Sequence, residues 1–150
     1  MLFTTLKGNS VPLNLKPYKI NWKVASLSKF QTNIKNFFGK YFKHLDWYEE
    51  VPLVGADVSR LRWDFLCVFE DDFGRKQKVF IEIQGQQHFK MNGKFHRDIK
   101  DFENQVIRDE IKSLFAAKNS VYPVMEFFEG DPLPTIKSFE EEFGKILPRK

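Results

Sequence analysis

Two carboxylates stand in otherwise apolar runs: Asp64 between Leu61 and Phe69, and Glu82 between Val79 and Ile83. A carboxylate on a core strand is costly to bury unless a cation meets it. Two acids on neighbouring strands most simply share a divalent metal ion. Gln84, two residues beyond Glu82, falls on the same strand face. Hard oxygen donors of this kind suit Mg2+ or Mn2+, which keep several waters and take a phosphate oxygen from a substrate. The chemistry they point to is attack of an activated water on a phosphate ester. Blander readings also fit these residues. Asp64 could pair with Arg60 or Arg62 on an edge strand, and Glu82 could be a solvated residue facing Lys78.

The elements that must position these acids are legible from periodicity. Ser28 is an N-cap, and Phe30, Ile34, Phe37, Phe38, Tyr41 and Phe42 recur at helical steps behind it, with Lys29, Lys35, Lys40 and Lys43 on the opposite, exposed face. Residues 47–54 read as a first strand and residues 60–69 as a second. A polar turn at 70–74 follows, then a third strand at 77–84. Residues 85–98 read as a loop. Phe102, Val106, Ile107, Ile111, Leu114 and Phe115 mark the buried stripe of a second helix over about 99–118. A fourth strand at 121–127, arriving through that helical crossover, should add in parallel to the meander. Residues 131–134 break the chain before a last amphipathic helix.

The predicted fold is therefore α/β, with a mixed central sheet in the order helix, three-strand meander, helix, strand, flanked by helices. Residues 1–26 read as an N-terminal arm or cover, 27–130 as the core, and 131–150 as a C-terminal helix packed on the same domain. A chain of 150 residues with 42% apolar residues and seventeen Phe is expected to fold as one domain with a real core.

A net charge of +4 and a pI near 9.1 lean toward a polyanionic partner, although an ordinary basic domain carries the same charge. Lys90, Lys94, His96, Arg97 and Lys100 crowd one segment, and Arg108 and Lys112 on the second helix extend it. Contacts from such residues to DNA phosphates are mostly independent of sequence. The only cysteine, Cys67, lies in an apolar run and reads as an inert buried thiol. One thiol excludes a disulfide framework within the chain and fits a reducing compartment. No signal-peptide pattern and no apolar run of membrane-spanning length are present, so a cytoplasmic protein without membrane contact is expected.

An Asp on one strand followed by Glu-x-(Lys/Gln) on the next resembles the PD-(D/E)xK nuclease superfamily, whose common core has the same element order. More narrowly, Tyr48-Glu49-Glu50-Val51-Pro52, Asp64, Ile81-Glu82-Ile83-Gln84-Gly85-Gln86-Gln87-His88-Phe89 and Ile107-Arg108-Asp109-Glu110-Ile111-Lys112 are similar to a phage-associated branch. That branch is related to very-short-patch-repair and some homing endonucleases. The resemblance covers residues 18–127. It implies a restriction-endonuclease-like fold and a Mg2+- or Mn2+-dependent DNA endonuclease, phage-encoded within a bacterial host. Asp64 and Glu82 would bind metal, with the Ile83 carbonyl as a further ligand. His88 would act as general acid, base or phosphate ligand, with Asp109 to orient it. Glu49 or Glu50 would be an additional acid, with Glu50 as the residue chosen for the site.

Two departures accompany the resemblance. Gln84 occupies the usual place of a Lys and can act only as a neutral dipole. A first-helix Glu of the wider superfamily has no counterpart; Gln31 lies near its place. The Gln84 departure keeps two other functions in play: a catalytically silent nucleic-acid-binding accessory protein, or a structure-specific junction nuclease. A homodimer, or a partner subunit that supplies specificity, is compatible with either.

Overall fold

Ser28 starts the first helix as its side chain requires: Oγ accepts the Gln31 N–H at 3.0 Å while the Ser28 backbone remains extended. Helix α1 (Lys29–Tyr41) then buries Ile34, Phe37 and Phe38. A computed structural model describes residues 1–55, 61–85 and 95–150 of the chain, without the side chains of residues 95–99, 101 and 102.

Four strands form one mixed sheet in which each is hydrogen-bonded to the next in chain order. Strands β3 (Asp46–Pro52), β4 (Arg62–Glu70) and β5 (Lys76–Gln84) are an antiparallel meander, and β6 (Met125–Phe128) adds parallel to β5 through helix α2 (Phe95–Asn119). The β4–β5 turn is held by Asp71, whose Oδ1 accepts the N–H groups of Phe73 and Arg75, both at 2.9 Å. Gly74, with φ 76°, supplies the left-handed residue of that turn. Helix α3 (Ile136–Phe143) begins with a Thr135–Ser138 capping box and stops at Gly144.

The sheet is covered on both faces. One layer packs Phe38, Phe42, Phe139 and Phe143 from the α1 and α3 segments on Phe65, Cys67, Ile81, Met125 and Phe127. The other packs Phe115 and Ala116 of α2, with Phe3 and Leu15, on Leu66, Val68 and Phe80. Phe38 is fully buried, and the burial of such a side chain contributes roughly 2–3 kcal/mol. Cys67 is fully buried too, and burial pushes its thiol pKa well up, so it has no access and little thiolate.

Residues read as an arm form a hairpin, β1 (Leu2–Thr4) with β2 (Ser10–Pro12), followed by a short 3-10 turn at Lys16–Tyr18. Asn119 at the end of α2 clamps this hairpin, accepting the Thr4 N–H at 2.6 Å and donating to the Thr4 carbonyl at 2.8 Å.

Three sequence expectations are corrected. Lys35 is buried (2% exposed) rather than part of the exposed basic face, because it shares the inward stripe with Gln31, Ile34 and Phe38. Val106, Ile107 and Leu114 are about half exposed, since among its described side chains α2 turns Ile111, Phe115 and Ala116 toward the second layer. Strand β6 starts at Met125 rather than 121, after a turn in which the Ser120 hydroxyl has the Lys78 and Tyr122 carbonyls within hydrogen-bond reach, at 2.8 and 2.7 Å. Among the described residues no helix is long and apolar enough to cross a membrane.

Candidate active site

The register of the sheet lines up acids from different strands. Glu49 pairs with Phe65 and Val51 with Trp63, which sets Glu50 opposite Asp64. One step beyond the Phe65–Ile81 pair, Asp64 stands opposite Glu82, and Glu82 in turn pairs with Glu126 of β6. Cross-strand neighbours of this kind are close enough for like charges to repel.

Local backbone geometry marks the same row. Glu50 is the only non-glycine residue with positive φ (56°) among the described residues. The alternation of strand faces breaks there. Trp47 and Phe65 serve the α1 layer, yet Val51 and Trp63 serve the α2 layer. A left-handed Glu in a strand is strained, and such strain is retained where the surroundings over-determine it.

Asp64 is anchored from the neighbouring strand, its Oδ2 accepting the Ile83 N–H at 2.7 Å. Glu82 is 7% exposed, and its Oε1 lies 2.5 Å from Nζ of Lys112 on α2. Burial raises the Glu82 pKa well above the ordinary carboxylate range. Asp64 raises it further through charge and a shared hydrogen bond, and Lys112 offsets part of the rise. Glu50 is shifted the same way, by burial and then by Asp64 and Glu49, against the Gln31 hydrogen bond and Arg62.

A second polar cluster backs the row. Lys35 Nζ donates to Glu49 Oε1 at 3.0 Å and to the Val24 carbonyl at 2.7 Å, and Ser26 Oγ also donates to Glu49. Gln31 Nε2 spans both acids, 3.4 Å from Glu49 and 3.3 Å from Glu50. Thus Glu49 is held by a buried lysine, and Glu50 is the acid that lies in the row with Asp64 and Glu82.

Other expected site residues are placed differently. Gln84 is buried on the face of Glu82, with Nε2 3.4 Å from Glu126 Oε1. Asp109 accepts from Gln105 Nε2 at 2.9 Å on its own helix. Lys112, expected on the DNA-facing patch, instead belongs to the acid row. Lys100 and Arg108 are exposed as a phosphate-binding role requires. Ile83 meets the site through its N–H. His88, Lys90 and Lys94 lie outside the described residues, as does the side chain of Arg97. Among the described residues Asp64 has no Arg or Lys partner and Arg62 donates to the Glu50 carbonyl at 3.2 Å, while Arg60, the other partner expected for Asp64, lies outside the described residues; Glu82 is buried rather than solvated.

Sequence reasoning missed the Lys112–Glu82 and Lys35–Glu49 pairs, although helical spacing carried both. Lys112 is three residues before Phe115, and Lys35 three before Phe38, so each lysine rides an inward stripe.

All-oxygen donors on Asp64 and Glu82, with Glu50 in the same row, have the chemistry a hard divalent cation takes. Among the described residues no group of three or more His, Cys, Asp or Glu side chains is gathered closely enough to hold a metal. The repulsion between Asp64 and Glu82 is the surplus negative charge that a cation would relieve. No protein-family model, curated protein or solved structure matches the chain.

Proposed function

We propose that this chain is a Mg2+- or Mn2+-dependent DNA endonuclease on a restriction-endonuclease-like sheet. The observation that carries the reading is Asp64 set beside buried Glu82 on adjacent strands, with the ammonium of Lys112 on Glu82. Asp64 and Glu82 would hold the metal, which supplies Lewis acidity toward a phosphodiester and its attacking water. The Ile83 N–H fixes the Asp64 carboxylate, and Gln31 steadies Glu50. Lys112 supplies from α2 the positive charge that Gln84 lacks, close to where charge develops on the phosphate. Exposed Lys100 and Arg108 would hold the backbone of the substrate.

One experiment tests the reading: supercoiled, linear and branched DNA incubated with protein in EDTA, Mg2+ or Mn2+. Nicking or cutting that needs the metal and disappears in Asp64→Ala and Glu82→Ala supports it. Undiminished cleavage by either folded variant overturns the assignment. Preference for branched substrate would identify a junction nuclease.

A second reading, a catalytically silent nucleic-acid-binding protein of the same fold, has its own support. Lys112 already neutralises one of the two acids, and Gln84 is turned to Glu126. It predicts DNA binding that is indifferent to divalent ions and no cleavage under any condition.

A further inference from the structure

On the same face of β5 as Glu82, but beyond Phe80, a cleft of about 620 Å³ opens between the start of the strand and the N-terminal segment. Lys16, Lys19, Lys76 and Lys78 line it, with Tyr48 and Leu15 as its apolar wall. Phe115 of α2 packs on Phe80, with ring centroids 5.9 Å apart, and so separates the cleft from the acid row. At about 3.3 Å per residue, Lys78 is about 13 Å along the strand from Glu82 and Lys76 about 20 Å.

The lysines are poorly compensated. Lys19 meets Asp46 at 3.4 Å, both well exposed, and lies 5.2 Å from the Tyr48 ring centroid. Lys16, Lys76 and Lys78 have no ion-pair partner among the described residues; Glu70, opposite Lys76 in register, is the nearest acid along the ladder. Lys78 is half-buried, with its Nζ 5.2 Å from the Phe3 ring centroid, and burial lowers its pKa. Partly desolvated ammonium groups around a concave, partly apolar space attract an anion with an apolar body.

We propose that this cleft is a phosphate-binding site, separate from the acid row, that takes a nucleotide phosphate. The phosphate sits among Lys16, Lys76 and Lys78, and the nucleotide's sugar or base lies against Tyr48 and Leu15. The same chemistry is offered by a free mononucleotide and by one nucleotide of a DNA strand.

Binding is measured in EDTA, so that no cleavage intervenes, with dAMP, inorganic phosphate, a 12-nucleotide single strand and a 20-base-pair duplex as probes. The proteins are wild type, Lys76→Met/Lys78→Met and, as a control of equal charge loss per site, the exposed α3 variant Lys137→Met. Methionine keeps the stem packing of Lys78 on Phe3, and an unchanged melting temperature confirms the fold. At least a tenfold loss of affinity is expected in the double variant and none in Lys137→Met. For single-stranded DNA the slope of log K against log salt should fall by about 0.7 for each phosphate that no longer meets a lysine. Loss of dAMP and phosphate binding identifies a mononucleotide site; loss confined to the oligonucleotides identifies a strand contact. Equal binding of every probe by wild type and double variant, or no binding of any probe by wild type, overturns the proposal.

Discussion

Lys112 on α2 and Glu82 on β5 form a nearly buried pair with Nζ and Oε1 2.5 Å apart. The pair joins the crossover helix to the strand it serves, at the point where two carboxylates already repel. Removal of one partner strands the other in a poorly hydrated place. Lys112→Met should therefore destabilise the fold by about 3 kcal/mol, whereas Lys112→Met with Glu82→Met should recover most of that loss. Chemical denaturation of the three proteins measures both effects. If Lys112 also supplies the catalytic charge, Gln84→Lys in the Lys112→Met background should restore metal-dependent nicking. Stability regained without nicking would confine Lys112 to a structural role.

Glu50 yields a test of backbone strain that does not depend on any activity. At ordinary positions Gly is less stable than Ala by about 0.5–1 kcal/mol, because the unfolded chain has more freedom to lose. At φ 56° the order should invert, with Glu50→Gly more stable than Glu50→Ala by about 1 kcal/mol. Equal midpoints for the two variants in urea would show that the site relaxes without strain.

The raised pKa of Glu82 fixes the sign of a pH effect. A carboxyl that holds its proton more tightly folded than unfolded contributes stability fully present below the unfolded pKa. That contribution is lost as pH rises through the folded pKa. Glu82→Gln removes the titration. The melting temperature of the wild type minus that of Glu82→Gln should therefore fall as pH rises from the acid range, in metal-free buffer. Saturating Mg2+, if Asp64 and Glu82 bind it, should flatten the fall.

The two fully buried tryptophans on β3 and β4 should respond differently to loss of the indole N–H. Trp47 Nε1 donates to the Phe42 carbonyl at 2.9 Å, whereas Trp63 Nε1 has no partner among the described residues. Trp47→Phe removes one of two hydrogen bonds to the Phe42 carbonyl, which keeps the Leu45 N–H at 3.0 Å; Trp63→Phe removes an unmet donor. The first should cost about 1–2 kcal/mol more than the second in chemical denaturation.

Much of the architecture was legible because local chemistry and global fold agree. Ser28 caps where the apolar period begins, Asp71 and Gly74 make the turn the meander needs, and a helical crossover forces β6 into a parallel pairing. Within the site, Asp64 and Glu82 stood out as acids in apolar runs. Lys35 and Lys112 did not, because a lysine on an amphipathic helix reads as exposed unless its acid partner is known. The choice of Glu50 over Glu49 had no sequence signal at all. It rests on a left-handed Glu at a position where a sequence pattern would expect Gly or Asn, and on the change of layer between Trp63 and Phe65.

The clamp that Asn119 places on Thr4 has a consequence in time. The hairpin is synthesised before the four-stranded sheet, and the residue that secures it is made 115 positions later. At ordinary translation rates of about 5–20 residues per second, that is a wait of about 6–23 s. Throughout it Phe3 has no Phe115 to pack on, and the apolar face of the hairpin stays open until α2 is made.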